Sequence, residues 1–320
     1  MKRSIKKLRV GVVGAGYLGK FHAQKYADMD GAELVGIADI ERARAESVAQ
    51  KAGSKAYSNH LDLIGKVDAV SIVVPTSAHF DVSRDFLENS VDILLEKPMT
   101  TTLNQADTLI KLAREKNCII QVGHLERFNP AIVGLHDIVK EPGFIEAHRL
   151  GIYKPRCTDV SVVLDLMIHD IDIILSFVKS NIRSVSAAGV PVISEHADIA
   201  NARLEFENGC VANITASRIS MKNERKIRLF QKDAYISVDF PNHTIVVVQK
   251  KDGLNTNSSP VPGTDIQNLS FTEGDALEEE IKSFVNAVVT RRPPKVTGEM
   301  GRSALELALN IVDRMSLLQK

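Results

Sequence analysis

The chain has 320 residues, enough for two domains of ordinary size. Its 40 basic and 40 acidic side chains cancel, so its charge indicates neither a nucleic-acid partner nor an anionic membrane surface. No apolar run reaches the roughly 18–20 residues of a membrane span, and no signal-peptide pattern follows the basic start. Cys118, Cys157 and Cys210 form neither a C-x-x-C pair nor a zinc-binding spacing. We therefore expect a cytoplasmic protein without a metal site.

The first predicted element is a buried strand that leads into a glycine-rich turn and a helix. Gly14, Gly16 and Gly19 have the spacing G-x-G-x-x-G. In such a turn the first glycine allows the tight bend and the second lets the backbone approach a pyrophosphate. The third lets the helix pack closely on the strand. The phosphates then lie at the positive end of the helix dipole. This stretch therefore predicts a dinucleotide site.

A second predicted strand, at 33–38, ends at Asp39, twenty residues after Gly19. A carboxylate at this position accepts hydrogen bonds from both hydroxyls of the adenosine ribose, which favours NAD over NADP. The alternative role of Asp39 is to cap a helix predicted over 40–51. Arg42 and Arg44 keep NADP open, because a guanidinium there would suit a 2′-phosphate.

Strands and helices alternate as far as residue 122. Further strands are predicted at 69–74, 91–95 and 118–122, and helices between them at 78–88 and 103–115. Val- and Ile-rich strands separated by helices are typical of a parallel sheet that is covered on both faces. We predict an α/β Rossmann domain, a doubly wound parallel sheet, over residues 1–122. Such sheets bind ligands beyond the carboxyl ends of their strands.

From residue 123 the pattern changes to strands that follow one another directly. They are predicted at 182–188, 199–207, 210–219, 226–230, 234–240 and 244–249. Asn208-Gly209 predicts a hairpin turn, 252–267 an exposed loop, and 275–290 and 300–318 two closing helices. We predict an α+β domain over 123–320 with an open-faced, mostly antiparallel sheet. Its free face would pair with another subunit.

Lys97 is the first candidate catalytic residue. Glu96-Lys97-Pro98 follows the strand at 91–95, at the sheet edge where ligands bind. A lysine there would bond a substrate hydroxyl or carry its proton. The alternative is a solvated lysine beside a proline that ends the strand.

Asp165 and His169 are the second candidates. They lie four residues apart within a helix predicted over 160–178, and therefore on one helix face, with Asp172 close to that face. A histidine suits general-base work near neutral pH, and a carboxylate one turn away would orient or stabilise it. The alternative is an ordinary surface pair. Apolar neighbours indicate burial, and a buried Asp–His pair is costly unless it is paired or functional.

His124 and Arg127 follow the sixth strand, where the chain leaves the first domain. They are candidates for substrate contacts, while Asn129-Pro130 equally suits a helix N-cap and first-turn proline. Together these parts indicate metal-free hydride transfer, in which a base takes the hydroxyl proton and a nicotinamide takes the hydride.

Along nearly its whole length the chain resembles the glucose–fructose oxidoreductase/inositol dehydrogenase (Gfo/Idh/MocA) family. The matching motifs are Gly14–Gly19 with Phe21-His22, Glu96-Lys97-Pro98, Asp165-x-x-x-His169 and Val296-Thr297-Gly298-Glu299. The resemblance implies a Rossmann domain and an open-faced sheet domain through which homodimers or homotetramers assemble. It also implies a catalytic set of Lys97, Asp165 and His169, with His169 or Lys97 as the base.

The resemblance further implies two sets of binding residues. For NAD they are Gly14, Gly16, Tyr17, Leu18, Gly19, Asp39, Pro75, Thr76, His79, Glu96 and Lys97. For the substrate they are His124, Arg127, Arg156, Asp165, His169, Arg218 and Lys222.

Within the family, the segment 123–130 and Arg218-Ile219-Ser220 resemble enzymes that oxidise C3 of a UDP-sugar, UDP-N-acetylglucosamine. Arginine and lysine side chains would then contact the diphosphate. A dehydrogenase of a free sugar or inositol is the alternative. A dinucleotide-binding regulator without catalysis is a third hypothesis, which the presence of the Lys, Asp and His residues disfavours.

Overall fold

The computed structural model describes residues 7–153, 160–251, 262–271 and 274–317. The chain divides into two compact units. One comprises Met1–Phe128 with Asp275–Ser303, and the other Asn129–Gly274 with Ala304–Lys320. No helix within the described ranges combines the length and apolar character that a membrane span requires.

The first unit contains a six-stranded parallel sheet. Its strands are β1 (Leu8–Val13), β2 (Ala32–Ala38), β3 (Lys55–Tyr57), β4 (Ala69–Ile72), β5 (Asp92–Glu96) and β6 (Ile120–Gly123). Its helices include α1 (Gly19–Ala27), α2 (Arg42–Lys51), α3 (Thr76–Glu88) and α4 (Leu103–Lys116). The strand order is β3-β2-β1-β4-β5-β6, so the direction of winding reverses between β1 and β4. This confirms the predicted doubly wound sheet and places its ligand-binding edge beyond β1 and β4.

A late helix, α7 (Ala276–Thr290), belongs to this first unit. Its buried Ile281 and Phe284 share one hydrophobic cluster with Val10, Val12 and Tyr26. The compact units therefore divide the chain differently from the predicted domains, because the apolar face of α7 packs on residues from the start of the chain.

The second unit contains an eight-stranded sheet. Its strands are β7 (Pro142–Leu150), β8 (Ile182–Val190), β9 (Ile199–Phe206), β10 (Val211–Ser217), β11 (Glu224–Gln231), β12 (Ala234–Asp239), β13 (Thr244–Lys250) and β14 (Thr264–Ser270). Their order is β14-β13-β12-β11-β7-β10-β9-β8, and every neighbouring pair is antiparallel except β7 with β10. This confirms the mostly antiparallel sheet. Strand β7 was not predicted, and β14 begins inside the segment predicted as a loop.

Helices cover one face of this sheet. They include α5 (Pro130–Leu135), α6 (Ile168–Phe177) and the greater part of α8 (Gly298–Leu317). Ala202 and Leu204 of β9 are buried in the same cluster as Ile171 and Ile311 of these helices. The alternating residue Arg203 is exposed. This period of two is that of a sheet with one buried face.

A buried ion pair ties β7 to α6. The Arg149 guanidinium donates two hydrogen bonds of 2.9 Å to the Asp170 carboxylate, and their side chains are 4% and 1% exposed. The same guanidinium lies over the ring of Phe240. Removing one partner of such a pair leaves the other charge buried without compensation.

We expect Asp170→Asn to lower the free energy of unfolding by about 3–5 kcal/mol, because the Arg149 charge stays buried. Urea unfolding followed by circular dichroism measures the change. The matched control is Glu46→Gln, which removes the exposed partner of Arg42 on α2 and is expected to cost less than about 1 kcal/mol. Equal losses in the two variants would contradict the assignment.

Candidate functional site

The glycine turn after β1 shows a separate steric reason for two of its glycines. Gly14 has φ of +98°, and a Cβ there would overlap the Val73 carbonyl. A Cβ on Gly19 would overlap the carbonyl oxygen of Gly14. A Cβ on Gly16 would meet nothing within 4 Å. Gly14 therefore serves the bend and Gly19 the close packing of α1, while the space above Gly16 is open to a ligand.

The same turn presents main-chain donors at the start of α1. Among the described residues, no acceptor lies within hydrogen-bond reach of the N–H groups of Gly16, Tyr17 or Leu18. The side chains of Tyr17 and Leu18 are exposed. Unpaired N–H groups at a helix N-terminus bind phosphate oxygens, so this turn fits the pyrophosphate of a dinucleotide.

Asp39 lies beside this turn and holds it in place. The Ala15 N–H donates to Asp39 Oδ2 (2.7 Å), and the Glu41 N–H donates to Oδ1 (2.8 Å). Glu41, not Asp39, occupies the N-cap position of α2. The capping role considered for Asp39 is therefore replaced by a contact with the glycine turn.

His79 links the loops that follow β4 and β5. Its Nδ1 lies 2.9 Å from the Pro98 carbonyl oxygen and its Nε2 2.9 Å from that of Val74. Burial lowers the pKa of His79, against the contribution of these two hydrogen bonds. Pro75 is the N-cap of α3 and Thr76 its first residue. These predicted cofactor residues thus lie at the carboxyl ends of the strands.

Lys97 follows β5 at the same edge of the sheet. Its N–H donates to Oε2 of Glu96 (3.3 Å), and its peptide bond with Pro98 is cis. The Lys97 residue is half-buried. The structure thus brings Lys97 together with Glu96 and with the His79 loop contact, all within the first unit.

The Glu96 carboxylate is held by a histidine of α1. His22 Nε2 lies 3.3 Å from Glu96 Oε1, and the side chains are 0% and 14% exposed. Burial raises the pKa of Glu96, but the contact with His22 and the electrostatic interactions with His22, Lys97 and His79 outweigh it and hold that pKa below its usual value. Glu96 is therefore ionised.

Glu280 of α7 completes this cluster and was missed in the sequence. One ligand-type atom from each of His22, Glu96 and Glu280 lies within 4.8 Å of the other two. Burial and the charge of Glu96 raise the pKa of Glu280 well above its usual value. The available signal was an acidic residue on the apolar face of an amphipathic helix, one position before Ile281.

Asp165 lies in a π-helical turn and not in the regular helix that was predicted. The π turn is Val163–Met167, and α6 begins at Ile168. The N–H of Ile168 donates to the Val163 carbonyl, five residues earlier. Asp165 and His169 are both half-buried. Such turns are frequent at functional sites.

The predicted substrate residues differ in their surroundings. Arg218 is 5% exposed and donates to the carbonyls of Val160 and Ala197 within its own unit. Lys222 is exposed and pairs with Glu224. Arg156 lies outside the described residues.

His124 and Arg127 lie in the first unit and are buried, 1% and 7% exposed. Asn129 caps α5 by accepting the Ala131 N–H (3.0 Å). Lys295 is a cation that the sequence did not single out. Burial and the charge of Arg127 lower its pKa. Cations near one another in a partly buried position are suited to an anionic ligand.

Comparisons with known proteins agree with these observations. A model of an oxidoreductase family with an NAD-binding Rossmann fold, GFO_IDH_MocA, matches residues 8–124. A model of the GFO/IDH/MocA C-terminal domain matches residues 151–237. UDP-N-acetylglucosamine 3-dehydrogenase of Acidithiobacillus ferrooxidans is 39% identical over 305 residues, 95% of this chain and 96% of that protein.

The chain belongs to the Gfo/Idh/MocA oxidoreductase family. A solved structure of the same Acidithiobacillus enzyme superposes with a TM-score of 0.93 at 38% identity, covering 98% of this chain and 100% of that one. Myo-inositol 2-dehydrogenase of Thermotoga maritima is 27% identical over 94% of each chain. Membership makes this chain an NAD-binding oxidoreductase whose relatives are dehydrogenases.

We expect Gly16→Ala to fold with a melting temperature close to that of the wild type and to bind NAD at least about tenfold more weakly, a loss of about 1.4 kcal/mol. The added methyl meets no protein atom but occupies the space left for the pyrophosphate. Calorimetric titration with NAD measures the change. Gly31→Ala, also in open space, is the control. Unchanged NAD binding in Gly16→Ala would refute this role.

A second prediction concerns the pH dependence of stability. The raised pKa of Glu280 means that the folded chain keeps a proton that the unfolded chain loses above pH 4.5. The free energy of unfolding of the wild type therefore falls as pH rises above that value, until the folded-state pKa is reached.

Glu280→Gln removes the ionisable group that causes this pH dependence. Between pH 4.5 and the folded-state pKa of Glu280, the free energy of unfolding of the variant should therefore rise relative to that of the wild type by about 1.4 kcal/mol per pH unit. Urea unfolding at a series of pH values measures the difference. Glu279→Gln, the exposed neighbour, should show no such slope. Parallel curves for wild type and Glu280→Gln would show that the carboxyl is ionised in the fold.

Proposed function

We propose that this protein is an NAD-dependent dehydrogenase that oxidises the C3 hydroxyl of UDP-N-acetylglucosamine to a ketone. The observation that carries the proposal is the likeness, along nearly the whole of both chains, to the Acidithiobacillus enzyme of that name. Lys97, Asp165 and His169 are all present, which disfavours a regulator without catalysis. A free sugar or inositol is the competing substrate, because inositol dehydrogenases are also among the relatives of this chain, at lower identity.

The glycine turn fits the cofactor. Its open space above Gly16 and the N–H groups of Gly16, Tyr17 and Leu18 suit a pyrophosphate. When bound, NAD accepts the hydride from the carbon that bears the hydroxyl.

Asp39 supports NAD over NADP. Its carboxylate accepts two N–H groups and retains lone pairs for ribose hydroxyls, while its charge repels a 2′-phosphate. Arg42 and Arg44, the residues that left NADP open, pair with Glu46 and Glu41. Their charges are thus partly compensated on α2.

Lys97, Asp165 and His169 form the proposed catalytic set. The proton of the substrate hydroxyl passes from oxygen to Lys97 or His169, and the hydride leaves the carbon that bears this hydroxyl. The products are a ketone, a reduced cofactor and a protonated base. Asp165 stabilises the charged form of His169. Asp165 is half-buried, which suits this electrostatic role.

Cations supply the proposed recognition of the diphosphate. Arg127 and Lys295 are close enough for the charge of one to lower the pKa of the other. Arg127, Lys222, Arg156 and His124 remain the proposed substrate contacts, and Lys295 joins them. Arg218 is proposed to act indirectly, since its guanidinium donates to main-chain carbonyls.

Two further predictions complete the proposal. The exposed side chains of the second sheet would pair two copies into a homodimer or homotetramer. The cytoplasm is the proposed location, as composition and cysteine spacing suggested.

The deciding experiment incubates purified protein with NAD and, separately, UDP-N-acetylglucosamine, myo-inositol and free hexoses. A 3-keto UDP-sugar identified by mass spectrometry, with stabilisation by UDP alone in a thermal shift, is the expected result. Oxidation of inositol without stabilisation by UDP would replace the proposed substrate. Bound NAD without turnover of any substrate would favour the regulator.

We expect Lys97→Met to lower kcat by about 10²- to 10⁴-fold, because the hydroxyl proton loses its partner. Thermal shift with UDP should be retained. The control is Lys111→Met, which removes an exposed lysine paired with Glu115 on α4. A kcat within the range of the control would remove Lys97 from the catalytic set.

We expect Asp39→Ala to narrow the preference for NAD over NADP by at least about tenfold in kcat/KM, about 1.4 kcal/mol. The substitution removes the ribose acceptor and the negative charge. Kinetics with both cofactors measure the ratio. The control is Asp28→Ala, at the far end of α1. An unchanged ratio would contradict the role of Asp39.

A further inference from the structure

His22, Glu96 and Glu280 form a buried ionisable cluster that contacts the Lys97 main chain through Glu96. They come from α1, the end of β5 and α7. His22 and Glu280 are 0% exposed, and one polar atom of each residue lies within 4.8 Å of the other two. The predicted function uses Lys97 but gives neither His22 nor Glu280 a role.

The position of Glu280 is set by the sheet. Gln121 of β6 is fully buried, and its Nε2 donates to the Glu280 carbonyl oxygen (2.9 Å). Ser283, one turn later on α7, donates to the Gln121 Oε1 (3.3 Å). These two hydrogen bonds of the Gln121 side chain fix the position of α7 at Glu280. The Glu280 side chain is consequently held in the core.

The space that the Glu96 side chain occupies is left by a glycine of the neighbouring strand, β6. A Cβ on Gly123 of β6 would lie 3.1 Å from Glu96 Cδ and 3.2 Å from Glu96 Oε1. The absent side chain lets the Glu96 carboxylate occupy the layer between β6 and α1. There one oxygen faces His22 and the other accepts the Lys97 N–H.

Two carboxyl groups this close in the core cannot both be ionised. Glu96 has the compensating contacts, since His22, Lys97 and His79 all favour its charge. Within the part of the chain that the structure describes, no cation or hydrogen-bond donor compensates a charge on Glu280, and neither of its carboxyl oxygens has a hydrogen-bond partner. The negative charge therefore resides on Glu96 and the proton on Glu280.

Such a group does not serve stability. A buried carboxyl without a partner costs free energy that an apolar side chain of similar shape would not. A destabilising ionisable group next to a reactive residue indicates a functional site.

We propose that Glu280 is a positioning residue for Lys97. In its uncharged form it closes the buried side of Glu96 together with His22, so that one carboxylate holds the Lys97 main chain and supplies the single negative charge behind it. The proposal rests on the proposed function, in which Lys97 is catalytic.

Three further titratable groups bear on the cluster. They are Lys97 after β5, His79 of α3 and Tyr26 of α1. Tyr26 is bonded to Ser71 and fully buried. Any test must therefore separate Glu280 from its neighbours by substitution.

The first experiment needs no substrate. An infrared spectrum of the wild type at neutral pH should show the C=O stretch of a buried, protonated carboxylic acid. Glu280→Gln should lack that band and Glu279→Gln should keep it. A band that persists in Glu280→Gln would place the proton elsewhere and overturn the proposal. So would a stoichiometric metal ion found by elemental analysis of the wild type.

The second experiment separates positioning from packing. Glu280→Leu should keep or raise the melting temperature and lower kcat by about 10- to 100-fold, the scale of a small misplacement of a reacting group, with little change in KM. Glu280→Gln, which mimics the protonated acid, should recover most of that kcat. Its pH profile should keep its midpoint. A midpoint that moves to lower pH would mean that a negative charge beside Lys97 had been removed, against the proposal.

The third experiment reads Lys97 directly and distinguishes this inference from the proposed function. Lysines are ¹³C-methylated reductively, and the Lys97 resonance is assigned with Lys97→Arg. It should move in Glu280→Leu and return in Glu280→Gln. If no UDP-sugar is oxidised, the proposed function fails while this resonance still tests the inference. A resonance unchanged in Glu280→Leu overturns the inference alone.

Discussion

The close approach of Gly19 to the carbonyl of Gly14 is the constraint on which the site depends. Because no side chain fits there, α1 can begin directly against β1. That approach leaves the N–H groups of the turn facing outward, where phosphate oxygens bind. It also directs the opposite side of α1 into the core, so that His22, one turn later, reaches Glu96. One steric fact thus shapes both the turn proposed to hold the cofactor and the contact of α1 with Glu96, beside the proposed catalytic Lys97.

Charge in the core follows from this arrangement. The contact with His22 and the charge of Lys97 hold the pKa of Glu96 below its usual value in spite of burial, whereas burial and the charge of Glu96 raise the pKa of Glu280. In the second unit, buried charges are paired. Arg149 and Asp170 form a complete ion pair with two hydrogen bonds, which stabilises a contact between sheet and helix. Next to the proposed catalytic Lys97, the carboxyl of Glu280 has no hydrogen-bond partner among the described residues, whereas the Arg149–Asp170 pair is complete. This difference is expected between a proposed functional site and a structural ion pair.

The family and the substrate rest on different kinds of observation. The oxidoreductase family follows from likeness over nearly the whole chain and from the fold of both units. The sugar remains a proposal, supported by cationic side chains and by the name of one relative. The structure changes the set of proposed substrate-binding cations. Arg218 donates to main-chain carbonyls, and Lys295 joins Arg127 as a candidate.

The sequence by itself determined the doubly wound sheet, the glycine turn and the place of Lys97, because alternating apolar strands and glycine spacing are local signals. It did not reveal β7, whose inward position Arg149 breaks the apolar alternation until Asp170 of a distant helix compensates it. Nor did it reveal β14, a polar strand paired through its backbone with β13. The π turn at Asp165 and the burial of Glu280 beside Glu96 were likewise decided by tertiary structure. The partners of Arg149 and Glu280 lie on other elements of the fold, and only packing determines where such an ionisable side chain finds or lacks its compensating charge.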